Sequence, residues 1–286
     1  MQGPISRMVV TQDEAELATE AWGNPVRGTI LLVMGATASM VWWPDSLMKA
    51  LAAGGYQVIR FDHRDTGQST TNPPGDVRYD LLDLAADLIA ILDVYAVQSV
   101  HLVGMSLGGY VSQIAALRYP ERVRTLTLIA SEPLGVEYAG AGIAPKFMEH
   151  FATMADLDWS SHSDVARFML RIAELSAGSA SPFDIEAASH RIAQELQRAS
   201  DMRSAFNHSM IGGELGPNMT ARQLDLPVLL VHGTEDPIIS VAAARTAAQI
   251  MGGARLLLLE GRGHELAGAD IPRIAGAILA LTTSSR

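Results

Sequence analysis

Three residues of this sequence stand out for chemistry: a serine, an aspartate and a histidine, each just beyond an apolar run. Ser106 lies in Gly104-Met105-Ser106-Leu107-Gly108, within "HLVGMSLGGY". Strand-forming residues, Val100 to Val103, lead into it, and a helical pattern follows. A serine on a sharp strand-to-helix turn holds its hydroxyl clear of the sheet edge, and small neighbours let that turn form. The helix N-terminus beneath it favours negative charge nearby. An ordinary turn uses the same residue types, but the flanking strand and helix favour a nucleophile.

A hydroxyl attacks at neutral pH only with a base beside it. Of the eight histidines, His264 in "LEGRGHELAG" is the best placed, in a glycine-rich loop after the last apolar run. His101 falls inside a strand and His232 ends one, so packing or backbone hydrogen bonding is their expected fate. His63, in "FDHRDTGQS", either shapes a pocket floor or braces its loop. His150, His162 and His190 are expected in solvent, and His208 is expected to face a cleft. The base needs an acid to hold its tautomer. Asp236 in "LVHGTEDPIIS" follows a buried run and is the first choice, with Glu235 and Glu132 as rivals. Backbone amides are the usual donors to an oxyanion. The candidates are Leu107, next to the serine, and Ala36 in "MGATASMVWW". Trp42, Met105 and His208 are candidate substrate contacts, for which core packing is the plain alternative.

These residues need a scaffold. The runs "GTILLVM", "YQVIRF", "SVHLVG", "RTLTLIA", "LPVLLVHG" and "ARLLLLE" have strand length and are apolar on successive residues. That pattern belongs to strands buried on both faces, as in a parallel sheet. Helical patterns lie between them: "WPDSLMKALAAGG" with a stop at Gly54, "YDLLDLAADLIAILDVY" and "LGGYVSQIAALRYP". Alternating strand and helix indicates an α/β fold with helices on both faces. The alternation breaks between Pro133 and Asn218, where only helical stretches occur: "APKFMEHFATM", "SDVARFMLRIAEL" and "FDIEAASHRIAQELQRASDMRSAFNHSM". Ser161 and Ser163 are possible N-caps for the second. The division expected is a core of residues 1–132 and 219–286 with a helical cap over 133–218.

Composition narrows the function classes. The chain has 286 residues, 48% hydrophobic and 18% charged, with a net charge of −10. It can bury a sizeable core, and its acidity disfavours nucleic acid and anionic membranes. With no cysteine, there is no disulfide, thiolate metal site or cysteine nucleophile. No H-E-x-x-H spacing occurs, so no metal or cofactor is expected. "MQGPISRMVVTQDEAEL" lacks the apolar run of a signal peptide, and no run has the length of a membrane span. A cytoplasmic protein with a small-molecule substrate is expected, and nothing indicates an oligomeric state.

Taken together, these motifs resemble the α/β-hydrolase superfamily over nearly the whole chain. The order Ser106, Asp236, His264 matches it. "RFDHRDTGQSTT" resembles the D-x-R-G-x-G-x-S loop of that superfamily, with Asp65 where glycine is usual. Core members often read His-Gly in the first loop; this chain has Met34-Gly35, which leaves the backbone donor in place. The combination "LLVMG...WWP...DHRDTGQS...GMSLGG" is similar to the aclacinomycin methylesterase group, which hydrolyses a methyl ester on a polyketide-derived aromatic. The resemblance implies a triad of Ser106, Asp236 and His264, with Ala36 and Leu107 as oxyanion amides. It implies a cofactor-independent hydrolase of carboxylic esters working through an acyl-enzyme. A lactonase, a C–C bond hydrolase, a thioesterase or a perhydrolase would use the same triad. A slow-turnover binding protein on the same fold is the alternative from another class.

Overall fold

A computed structural model of the chain describes residues 3–284. Its strands are β1 (Ile5–Val10), β2 (Glu16–Trp22), β3 (Thr29–Val33), β4 (Gln57–Phe61), β5 (Val100–Met105), β6 (Val123–Ile129), β7 (Val228–Gly233) and β8 (Arg255–Leu259). They form one sheet in the order β1-β2-β4-β3-β5-β6-β7-β8. From β4 to β8 every pairing is parallel. All six apolar runs are strands of this sheet.

β1 and β2 are absent from the strands expected from apolar runs. They pair antiparallel with each other, and β2 pairs antiparallel with β4. β1 is an edge strand whose residues are mostly exposed, so it carries no continuous apolar signal.

The central strands alternate between two cores, as the period of two requires. Leu31, Val33, Leu102 and Leu230 join one cluster, with residues of the helices α2 (Leu81–Val94), α3 (Leu107–Arg118) and α7 (Val241–Ile250). Ile30, Leu32, Val103 and Val231 join the other, with residues of α1 (Asp45–Ala53) and α8 (Ile271–Thr283). Burial of both faces is what makes these strands apolar at successive positions. Asp80 caps α2 through a reciprocal bond pattern with Asp83.

Among the described residues, the chain between β6 and β7 contains helices and no strand. These are α4 (Pro145–Ala152), α5 (His162–Ser176) and α6 (Ile185–Arg198), followed by a 3₁₀ segment at Ser204–Met210. Ser161 is the N-cap of α5, accepting from Asp164 N. The long pattern from Phe183 to Met210 is broken after α6. Ala199 is extended, and Asp201 takes the Arg203 amide in a turn. Phe168, Met169, Ile192 and Phe206 give this segment an apolar core of its own, which Trp42 touches. No helix of the described residues is long and apolar enough to cross a membrane.

Candidate active site

Ser106 is the residue between β5 and α3, at φ 51 and ψ −120. That left-handed φ is strained for a residue with a Cβ. Neighbouring bonds hold it there: Ser106 N donates to Ile129 O at 2.9 Å, and its carbonyl accepts from Ser131 Oγ at 2.9 Å. The turn has no room for a side chain at position 104 or 108. A Cβ on Gly104 would lie 2.4 Å from Gly108 O, and one on Gly108 would lie 2.0 Å from Val33 O. The glycines therefore press the elbow against the end of β3, where the loop carrying Ala36 begins.

Asp236 and His264 rise from the same sheet edge, after β7 and β8. His264 Nδ1 donates to Asp236 Oδ2 at 2.8 Å, which leaves Nε2 as the free basic nitrogen. Asp236 Oδ1 accepts from the amides of Ile238 and Ile239, both at 2.9 Å. His232 Nε2 donates to Ile239 O at 2.8 Å and lies 3.4 Å from Asp236 Oδ2. Burial by itself would raise the Asp236 carboxyl. Hydrogen bonds from His232 and His264, the His264 charge and the Ile239 amide outweigh it and hold the carboxyl well below the usual range. The rival acids are engaged elsewhere. Glu132 takes the Tyr138 hydroxyl, and Glu235 takes the Ser179 amide and hydroxyl. Among the described residues no hydrogen bond joins Ser106 Oγ to His264. Such bonds commonly tighten only in the substrate complex.

The loop after β3 carries Ala36, which is exposed. Among the described residues no acceptor takes its N–H. Leu107, as the first residue of α3, has no partner for its N–H within the helix. Behind the loop lies a layer of buried polar groups. His63 Nε2 donates to Met34 O at 3.0 Å, and His208 Nδ1 accepts from Thr37 N at 3.0 Å. Glu195 Oε2 accepts from Ser39 N at 3.2 Å and Ser39 Oγ at 2.7 Å. Asp62 accepts from Met40 N, Gln68 N and Arg198. Burial and the nearby His208 push His63 down to about 3, against the Met34 bond, so it is neutral at physiological pH.

Burial pushes the Glu195 carboxyl up to about 7. The Ser39 hydroxyl bond works against this, and the charge of Asp62 adds to it. Stability tied to the protonated carboxyl is intact below the ordinary value of 4.5 and is lost as the pH rises through about 7. The loss amounts to about 3 kcal/mol at 1.36 kcal/mol per pH unit. Glu195→Gln cannot ionise, so it should gain on wild type by about that amount between pH 4.5 and pH 8. Denaturant titrations at the two pH values check this. Parallel curves for the two proteins would contradict it.

The other expected residues fall as follows. Met105 is only 8% exposed and packs in the cluster with Val103 and Leu229, so its side chain is a core residue. Trp42 is partly exposed, with the Arg191 guanidinium 5.5 Å from its ring. His208 does not present a free nitrogen to a cleft, because its Nε2 donates to Arg64 O at 2.8 Å and its Nδ1 holds Thr37. His63 braces the loop after β3 through its Nε2, and its buried Nδ1 has no hydrogen-bond partner among the described residues. His101 bonds Thr125 Oγ1 within the sheet. His162 and His190 are exposed, whereas His150 bonds Phe168 O. Glu195 and Asp62 were missed. Asp62 begins the loop motif over Asp62–Ser69, but no local signal marks Glu195, one of two acids on α6. Asp65 does occupy a glycine-like position, at φ 67. Its carboxylate takes Asn72 N, Tyr79 Oη and Asn207 Nδ2, which offsets the strain.

The family model for the alpha/beta hydrolase fold matches residues 28–267. The chain is 32% identical to the rhodomycin D methylesterase of Streptomyces peucetius, over 97% of this chain and 98% of that protein. It is 31% identical to the counterpart in Streptomyces sp. strain C5, with the same coverage. An esterase from Rhodococcus superposes with a TM-score of 0.80 at 21% identity, over 98% of this chain and 99% of that one. A meta-cleavage product hydrolase from Pseudomonas fluorescens superposes with a TM-score of 0.76 at 18% identity, over 99% of both. With its parallel sheet and sharp turn at Ser106, this chain belongs to the α/β-hydrolase fold family.

Proposed function

We infer that the protein is a serine hydrolase of carboxylic esters that needs no cofactor, with Ser106, His264 and Asp236 as its triad. The observation that carries this reading is the buried Asp236–His264 pair, at the same sheet edge as a serine held at positive φ. Ser106 Oγ bonds to the ester carbonyl carbon while His264 Nε2 takes its proton. The carbonyl electron pair moves onto oxygen, which the Ala36 and Leu107 amides receive. Collapse expels the alcohol, and His264 gives it the proton. Water, deprotonated by the same nitrogen, then releases the acid from Ser106. Similarity to the rhodomycin D methylesterases favours a methyl ester as the bond cleaved. The helical segment between β6 and β7 acts as a cap over the sheet edge, and Trp42 contributes to the pocket beneath it.

Phenylmethylsulfonyl fluoride should stop turnover of a short p-nitrophenyl ester and add one sulfonyl group to the peptide containing Ser106. Tandem mass spectrometry locates the adduct. Its appearance on another serine, with Ser106 unmodified, would discard the assignment. A panel of methyl esters, lactones and β-diketones then separates esterase from lactonase and C–C hydrolase.

A further inference from the structure

We propose that Glu195 and His208 are positioning residues for the Ala36 amide, so that the oxyanion hole is formed only while the helical segment is docked on the core. The inference deepens the serine-hydrolase reading and rests on it. Residues 34–38 lie in neither helix nor strand, and the loop meets regular structure only at Ser39, the N-cap of a 3₁₀ turn over Met40–Trp42, whose carbonyl accepts from Trp42 N at 3.2 Å. Thr37 adds strain, at φ 63 with a β-branched side chain. Something outside the loop must hold it.

The hydrogen bonds show what does. Peptide planes are rigid, so a loop this short is set by the planes on either side of each amide. Met34 O is held by His63, which fixes the plane before Gly35. Thr37 N is held by His208, which fixes the plane between Ala36 and Thr37. The plane carrying the Ala36 N–H lies between these two. Ser39 N and Oγ, bound by Glu195, then anchor the far end of the loop. His63 belongs to the core, after β4. His208 and Glu195 belong to the helical segment. Three of these four hydrogen bonds therefore come from a part of the chain that shares none of its strands.

Both residues are themselves held for this task. Arg64 O accepts the His208 Nε2–H, which leaves Nδ1 unprotonated to receive Thr37 N. Asn207, beside His208, is tied to the Asp65 carboxylate and to Pro73 O. Arg198, one helical turn beyond Glu195, is paired at 2.6 Å with Asp62, and Asp62 takes Met40 N. Glu195 and His208 are 1% and 6% exposed. They act on the loop, and a side chain sealed behind it does not reach the reacting carbonyl.

The test compares Glu195→Ala, Glu195→Gln, His208→Ala and His208→Gln with wild type. Active sites are counted by fluorophosphonate labelling of Ser106, so that any unfolded fraction does not distort kcat. Each alanine variant should lose about 10- to 100-fold in kcat per labelled site, less than full removal of an oxyanion donor costs. KM should stay within about threefold, as expected when only transition-state contacts are lost. Binding of an alkyl trifluoromethyl ketone, whose adduct places an oxyanion in the hole, should weaken by the same factor as kcat. Glutamine keeps a carbonyl acceptor for Ser39 or Thr37, and should restore both quantities to within about threefold of wild type. Alanine variants with wild-type kcat per site, or with a loss confined to KM, overturn the inference. If Glu195→Ala does not fold, Ser39→Ala, which removes the 2.7 Å hydroxyl bond, replaces it, and if His208→Ala does not fold, His208→Leu, which fills the space without an acceptor for Thr37 N, replaces it; an unchanged kcat in either overturns the corresponding part. If wild type takes no fluorophosphonate at Ser106, the hydrolase reading fails and the inference fails with it. If wild type labels and turns over ester while the alanine variants are unimpaired, the inference alone fails.

Discussion

Ser106→Ala should abolish ester turnover, lowering kcat by about 10⁵- to 10⁶-fold, while the protein stays folded. The residual rate would come from the oxyanion amides and substrate binding, which the substitution leaves in place. Structural damage should be small. Alanine carries the same Cβ as serine, so it meets the same strain at φ 51 and the same glycine-lined space. A sharper control is Ser106→Gly. It removes the Cβ from a conformation costing about 1–3 kcal/mol. Glycine's extra unfolded-chain entropy, about 0.5–1 kcal/mol, offsets part of that gain. The expected protein is inactive and more stable than wild type by about 1 kcal/mol. Thermal unfolding and a p-nitrophenyl ester assay on the same samples read both effects. Turnover at the wild-type rate in either variant would remove Ser106 from the mechanism.

Asp236→Asn should cost about 10⁴-fold in kcat, through the tautomer of His264 rather than through its position. Asp236 Oδ1 is committed to the amides of Ile238 and Ile239. An asparagine keeps its oxygen there to satisfy them, which turns its NH₂ group toward His264. The imidazole must then accept at Nδ1 and carry its proton on Nε2, where it cannot serve as a base. Alanine would be a poorer probe, because it strands both amides and the histidine without an acceptor. Steady-state kinetics of Asp236→Asn beside Glu132→Gln and Glu235→Gln decide the acid. A larger loss in Glu132→Gln than in Asp236→Asn would assign the role to Glu132, despite its bond to Tyr138.

Much of the scaffold could be read before any coordinates, because its signals are local. A strand sandwiched between two helical layers is apolar at successive positions, and all six such runs proved to be strands, β8 among them although it lies at one rim with Leu256 exposed. β1, at the other rim, is mostly exposed, and β2 interrupts its apolar residues with Glu16, Thr19 and Glu20, so neither carries such a run. The helical pattern from Phe183 to Met210 outruns the helix itself, which ends at Arg198. Helical periodicity continues through Ala199 to Asp201, while the turn chemistry of Asp201 interrupts the backbone.

The candidate triad residues share one property: each stands at or shortly after the C-terminal end of a parallel strand, β5, β7 or β8. Position along the chain therefore places them at one edge of the sheet. The elbow was likewise written into the sequence, since Gly104 and Gly108 are required by contacts within a few residues or with the adjacent strand. The side-chain support of the loop carrying Ala36 was not. Ser39 and Glu195 are 156 residues apart, and Thr37 and His208 are 171 apart. No periodicity or spacing links such pairs. Their meeting depends on how the helical segment seats on the sheet edge, a matter of packing between two separately formed surfaces. For the same reason His208 and Met105 looked available for substrate and proved to be engaged. Residue type and order mark a candidate nucleophile, base and acid, whereas the burial that occupies or frees each side chain arises only when distant parts of the chain close on one another.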